Sequence, residues 1–198
     1  MKLFEMTMGE NDGVYAMSLV EAPATEEQFI ALATDVQKEI KLSTLVEDKQ
    51  ILIGAALVPE KPIFRAGQDG NEDYYIYFSK QTVAQAAQDF VKNGMQSNFT
   101  LEHGQKVDGV NVIESWIVED EKNDKSRSYG LDVPKGTWML MSKVEDTNLW
   151  KDYVKGNKVF GYSLEGKFGS EVRRELSDDR LDSVVNNITK AVKDYYNN

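Results

Sequence analysis

Cysteine is absent from the 198-residue sequence, and histidine occurs once, at His103. A chain without thiols has no disulfide framework, no cysteine nucleophile and no cysteine-ligated zinc or iron–sulfur site. A metal site built from several histidines is excluded as well, although carboxylates remain available to Mg²⁺ or Ca²⁺. The acidic cluster Glu119, Asp120 and Glu121 is better explained as an exposed loop, so we expect no metal and no cofactor.

Basic residues are fewer than acidic ones, 23 against 33, and the formal net charge is −10. Because Lys and Arg supply the affinity for phosphate backbones, this balance predicts no nucleic-acid partner. No stretch approaches the apolar length of a membrane span, and the N-terminal MKLFEMTMGENDG lacks the apolar core of a secretory signal. We expect no membrane partner and a protein that stays in the cytoplasm where it is made.

Runs of β-branched, aromatic and other apolar residues, bounded by glycine, proline or charge, predict strands. These runs lie at 13–20, 50–58, 74–79, 98–103, 110–120, 137–144 and 159–168. The continuously apolar run at 50–58 is typical of a strand buried on both faces. We expect 98–103 to pair antiparallel with 110–120 across a short glycine-bearing connection.

Apolar residues at spacings of three and four predict helices over 26–40 and from Ser79 to Val91, and a short helix over 146–155. Many short strands with few helices, in no regular βαβ order, predict an α+β domain with a mostly antiparallel sheet or small β-barrel. We expect this domain to span 1–170, followed by a charged tail at 171–198 with an amphipathic helical run.

His103 and Ser163 are the candidate catalytic residues. Imidazole exchanges protons near neutral pH, and Ser163 lies between Gly161 and Gly166, where small neighbours would let a substrate backbone approach. Taken alone, a single histidine is more often a surface or hydrogen-bonded residue, and a serine in a glycine-bearing strand is more often structural. The motif around Ser163 also differs from the G-x-S-x-G elbow of α/β-hydrolases.

Besides these two residues, a series of sequence segments resembles a known protein family. In order and spacing they resemble the XkdF-like serine proteases of tailed phages over roughly 13–168. That group belongs with the prohead maturation proteases, so the resemblance implies an assemblin-like fold, as in herpesviruses. The segments are GAALVPEKPIFR (54–65), YYIYFSKQTV (74–83), TLEHG (100–104), ESWIVEDEKNDKS (114–126), GTWMLMSKV (136–144) and VFGYSLEG (159–166).

The resemblance implies a serine endopeptidase in which Ser163 is the nucleophile and His103 the general base. Its substrates would be phage scaffold, capsid and portal proteins, cleaved in the host cytoplasm inside the immature prohead, and a homo-oligomer is a fair expectation. Prohead proteases often cut after glutamate. The alternative is a catalytically inactive capsid-assembly or scaffold protein that keeps the protease fold.

The third member of the catalytic group is open between Glu114 and Glu165. Glu114 would lie on the strand expected to pair with that of His103, and Glu165 shares a strand face with Ser163 by the period of two. GVYAMSLVEAPA (13–24) resembles the E-x-S-x-V-x-x-P-A segment of other prohead proteases, but Ala16 stands at the acid position. This departure implies a relocated or absent acid.

Overall fold

The computed structural model describes residues 2–24, 30–32, 49–66 and 72–172. Within these ranges the chain is mostly β, with one helix of several turns, α1 (Lys80–Lys92), and a short helix α2 (Thr147–Leu149) that continues as a π-helical turn, Trp150–Val154. Single 3₁₀ turns lie at Met95–Ser97 and Lys125–Tyr129. The strands are β1 (Lys2–Thr7), β2 (Gly13–Val20), β3 (Ile30–Leu32), β4 (Ile51–Leu57), β5 (Ile63–Arg65), β6 (Tyr74–Phe78), β7 (Phe99–Leu101), β8 (Gln105–Val107), β9 (Val110–Ile117), β10 (Trp138–Val144), β11 (Gly161–Lys167) and β12 (Gly169–Val172).

The strands form three four-stranded sheets within the described ranges. The first has the order β12-β1-β6-β5, the second β3-β4-β10-β9 and the third β11-β2-β7-β8. Neighbours are antiparallel except in two pairs, β1 with β6 and β2 with β7. This is the predicted α+β class with mostly antiparallel pairing. No sheet in the described part of the chain closes into a barrel, and the likeness to assemblin stays a prediction.

The helix α1 begins where the sequence predicts it. The Ser79 hydroxyl accepts the Thr82 backbone N–H at 3.3 Å, which pairs one of the free donors of the first turn. Its apolar face, with Val83, Ala86 and Phe90, is buried, and the Phe90 ring meets Trp138 of β10 edge to face at 5.4 Å.

Among the described residues, no helix has both the length and the hydropathy that crossing a membrane requires.

Two predictions of secondary structure are wrong. The segments 98–103 and 110–120 do not pair: β7 pairs with β2 and β8, and β9 pairs with β10. The chain reverses direction directly after β7, and the next strand, β8, pairs with the edge of β7 on which the sequence predicts 110–120. Within the predicted helix 26–40, Ile30–Leu32 form strand β3, which pairs with β4. Pairing with the edge of a sheet outweighs the helical preference that the local spacing of apolar residues indicates. The rest of the predicted helix lies outside the described residues.

The first and the last strands of the described residues pair with each other, which the sequence did not predict. β1 near the N-terminus pairs antiparallel with β12, which extends to Val172, and parallel with β6. Strand β12 therefore reaches two residues into the segment predicted as tail. The amphipathic run of the tail, from 173 onward, lies outside the described residues.

Candidate active site

Adjacent strands of the third sheet place three hydroxyl residues side by side. Ser163 of β11 lies opposite Ser18 of β2, and Ser18 lies opposite Thr100 of β7. Because residues directly opposite in a sheet have side chains on the same face, these hydroxyls form a row across the sheet. The row runs from the strand of Ser163 to the strand that ends beside His103.

Ser163 is held on a well-anchored strand. Its neighbour Tyr162 projects to the opposite face and is fully buried, with its hydroxyl 2.6 Å from Ser142 Oγ and 3.1 Å from the Leu52 carbonyl oxygen on the second sheet. Burial raises the pKa of Tyr162 well above its usual value, so this anchor stays neutral. Ser163 itself is 7% exposed, and within the described residues no hydrogen bond engages its hydroxyl.

Ser163 also lines a cavity of about 380 Å³. The walls are mainly apolar side chains of the first sheet and of β4 and β11, including Ile76 and Phe78. Two cationic residues, Arg65 and Lys167, complete the lining. Arg65 is exposed to solvent on one side, and partial burial lowers the pKa of its guanidinium.

His103 occupies a strained turn between β7 and β8. Its φ is 57° and that of Glu102 is 48°, both in the left-handed region, which costs about 1–2 kcal/mol for a residue with a side chain. Backbone hydrogen bonds hold this turn against β2: Glu102 N–H donates to the Leu19 carbonyl at 3.1 Å, and His103 N–H donates to Ser18 Oγ at 2.9 Å. Strain of this kind is concentrated at functional sites.

Glu165 reaches the imidazole from two strands away. It follows Ser163 by two positions on β11 and lies opposite Ala16 of β2. Because the alanine side chain is short, the Glu165 carboxylate extends across β2, where Oε1 accepts a hydrogen bond from the Thr100 hydroxyl and lies 3.4 Å from His103 Nδ1. The Glu165 side chain is 17% exposed and that of His103 47%. A protonated imidazole would form an ion pair there.

Glu114 lies elsewhere. It is on β9 of the second sheet, opposite Met141, and forms an ion pair with Lys125. The Lys125 ammonium also sits 3.7 Å from the centre of the Trp116 ring. The structure therefore brings Glu165, and not Glu114, to His103, because the strand pairing that would have placed Glu114 there does not form.

The site contains residues that the sequence reasoning missed. Ser18 and Thr100 gave no local signal, since a hydroxyl in a β-prone run is compatible with many environments. Ser18 is the more informative of the two: it is fully buried and directly opposite the predicted nucleophile. Among the described residues, His103 and Ser163 share no hydrogen bond, and the imidazole contacts the Glu165 carboxylate instead.

Comparison with known proteins gives one family. The sequence profile described as "Putative phage serine protease XkdF" matches residues 39–171, a range that contains His103, Ser163 and Glu165. Curated proteins and solved structures gave no match. Strand β2, with Ala16 and Ser18, lies before the matched range. Because the match covers more than half of the chain, the protein belongs to the XkdF family of phage serine proteases.

Proposed function

We propose that this chain is a serine endopeptidase with Ser163 as nucleophile, His103 as general base and Glu165 as the residue that orients the imidazole. One observation carries the proposal: Glu165 Oε1 lies 3.4 Å from Nδ1 of the only histidine in the chain. Because Nδ1 faces the carboxylate, Nε2 is left to exchange a proton. Glu165 also shares the strand and the face of Ser163.

The chemistry is acyl transfer. The Ser163 oxygen bonds to a peptide carbonyl carbon while its proton passes to His103 Nε2, and the new imidazolium is stabilised by the Glu165 carboxylate. The carbon–nitrogen bond then breaks, and the departing amine takes that proton. Water repeats the sequence on the acyl-enzyme and releases the acid. Resting enzymes often show loose catalytic hydrogen bonds that tighten with substrate, so the missing Ser163–His103 bond is compatible with this scheme.

The free edge of β11 suits an extended peptide. Within the described residues β11 is the edge strand of its sheet and has one strand neighbour, β2, so a further strand can be added on its other side. A substrate segment added along this edge would form main-chain hydrogen bonds next to Ser163 and project side chains toward the cavity. We place the natural substrates among phage scaffold, capsid and portal proteins, cleaved in the host cytoplasm inside the immature prohead.

A serine-directed fluorophosphonate tests the proposed function. We expect stoichiometric labelling that mass spectrometry maps to Ser163, and no labelling of Ser163→Ala or His103→Ala. Ser128→Ala is the control, because Ser128 is exposed in the 3₁₀ turn between β9 and β10, and this variant should label like the unaltered protein. If a folded sample assembled with phage head proteins stays unlabelled, the inactive assembly protein is the correct assignment instead.

The cavity beside Ser163 predicts a preference for acidic side chains. Its walls are apolar, and Arg65 donates one hydrogen bond, to the Phe64 carbonyl at 2.9 Å, with no carboxylate partner among the described residues. An apolar pocket with a cation at its rim suits a glutamate side chain, which has an apolar stem and a charged end. This agrees with the glutamate preference that the family resemblance implies.

Removing both cations of the cavity, in an Arg65→Gln, Lys167→Gln double variant, should therefore abolish discrimination between acidic and neutral substrates. We expect the unaltered protein to cleave a glutamate-containing peptide about 10-fold or more faster than its glutamine twin, from the typical worth of a charge-assisted hydrogen bond. Arg65→Gln alone should reduce this ratio, and the double variant should cleave both peptides at similar rates. Peptide cleavage followed by mass spectrometry gives the two values of kcat/KM. Arg127→Gln, which removes an exposed arginine paired with Asp132, is the control; equal rates in the unaltered protein would contradict this specificity.

A further inference from the structure

We infer that Ser18 is a positioning residue, which sets the place of the general base by fixing the turn that carries His103. The inference rests on the proposed function, since it assigns a role within the same reaction. Ser18 is fully buried in β2, directly between the strand of Ser163 and the strand that leads to His103. No other described residue has a side-chain hydrogen bond to the His103 backbone.

The hydroxyl of Ser18 has two partners. It accepts the His103 backbone N–H at 2.9 Å and donates to the Thr100 carbonyl oxygen at 3.4 Å. The backbone around Ser18 presents one acceptor, the Thr100 carbonyl, and one donor, the His103 N–H. A hydroxyl suits this place because it can donate to the first and accept from the second. With these bonds, Ser18 links Thr100 of β7 to His103, two residues beyond the end of that strand.

The turn needs such a tie. Glu102 and His103 both have positive φ, and neither is a glycine, so the local backbone preference opposes this conformation. Two further bonds join the turn to β2 and to the residue directly after it: Glu102 N–H to the Leu19 carbonyl at 3.1 Å, and Glu21 N–H to Glu102 Oε1 at 2.6 Å. Both of these act on Glu102. Ser18 is the side chain that holds the His103 backbone.

The geometry couples the two halves of the proposed reaction. Ser18 lies opposite Ser163 in the strand register, so a shift of the His103 turn relative to β2 is also a shift relative to the nucleophile. Small displacements of a base from its proton donor lower reaction rates steeply, by about 100-fold for 1 Å. Ser18 therefore acts through His103 and needs no contact with substrate.

The test compares Ser18→Ala with Ser18→Thr and with Thr137→Val. Thr137 is a control, because it also has a fully buried hydroxyl that donates to a backbone carbonyl, but that carbonyl belongs to Pro134, away from the site. In Ser18→Ala we expect kcat for a peptide substrate to fall about 10- to 100-fold with KM changed less than about twofold. Ser18→Thr keeps the hydroxyl and should recover most of kcat, and Thr137→Val should keep kcat even if it melts at a lower temperature.

A spectroscopic measurement separates positioning from stability. Since His103 is the only histidine, a ¹H–¹⁵N spectrum of imidazole nitrogens reports this ring alone. We expect the ring signals to move in Ser18→Ala, to return toward their original place in Ser18→Thr, and to stay unchanged in Thr137→Val. Unmoved signals and unchanged kcat in folded Ser18→Ala would overturn the positioning role.

The unaltered protein supplies a second test that does not depend on a variant folding. The His103 backbone N–H should be protected from hydrogen exchange, because it donates to a buried hydroxyl; exchange at the rate of a free loop would overturn the inference. The fluorophosphonate distinguishes the two proposals. No labelling of Ser163 in the unaltered protein refutes the proposed reaction, whereas equal labelling rates in the unaltered protein and Ser18→Ala refute only the role of Ser18.

Discussion

A Ser163→Ala variant should lose peptide cleavage by about 10⁴-fold or more, and a His103→Ala variant by a similar factor, because the two side chains share one proton transfer. The double variant should be hardly slower than either single one. Residues that act as a unit lose their whole effect when one of them is removed, whereas residues that act independently would multiply their losses. The residual rate would come from substrate binding along the β11 edge alone.

The measurement is kcat/KM for a phage scaffold protein, the proposed substrate, with new termini counted by mass spectrometry. Thermal melting of each variant shows whether the fold survives. Ser163 is at the edge of its sheet and its hydroxyl has no hydrogen-bond partner among the described residues, so its removal should change the melting temperature little. A Ser163→Ala variant that melts normally and still cleaves the scaffold would remove Ser163 from the mechanism.

Local sequence patterns predict the bounds of those strands and helices whose ends depend on nearby residues alone. The strand at 13–20 and the helix after Ser79 have the predicted bounds or nearly so, because β-prone residues bounded by Gly13 and Pro23 favour the strand and because the apolar face of the helix meets one buried surface. Sheet neighbours could not be obtained in this way. Strand pairing depends on contacts far apart in the sequence, and the short turn at Glu102 removed the edge on which 110–120 was expected to pair.

The same limit explains what was predicted of the site. His103 and Ser163 were selected by resemblance, since neither has a distinctive local motif, and the choice between Glu114 and Glu165 depended on which strands are neighbours of β7. Periodicity correctly placed Glu165 on the face of Ser163, but its reach to the imidazole also requires a small residue on β2 between them. That residue is Ala16, which the sequence comparison aligned with the acid of the E-x-S-x-V-x-x-P-A segment of other prohead proteases.

A Glu165→Gln variant should lower kcat/KM by about 10²- to 10⁴-fold, whereas Glu114→Gln should leave it unchanged. Glutamine keeps the size of the side chain and can still accept the Thr100 hydroxyl, but it has no charge to stabilise the imidazolium that forms as Ser163 attacks. Glu114 is a matched control, because it is a strand glutamate of the second sheet whose contact is Lys125 of a 3₁₀ turn, away from His103. Equal effects of the two substitutions would contradict the assignment of Glu165.

Moving the carboxylate provides the sharper version of this test. Ala16 lies directly opposite Glu165 and one strand nearer to Thr100 and His103, so the Ala16→Glu, Glu165→Gln double variant returns the charge to the same face from the adjacent strand. We expect this variant to recover at least about 10-fold of the lost kcat/KM, and the His103 ring signals to move back toward those of the unaltered protein. A glutamate with a structural role alone would not be replaced from a different strand. If the relocated carboxylate restores neither the rate nor the ring signals in a folded protein, then the charge of Glu165 does not act on His103. The role of Glu165 would then be structural, through its hydrogen bond with Thr100.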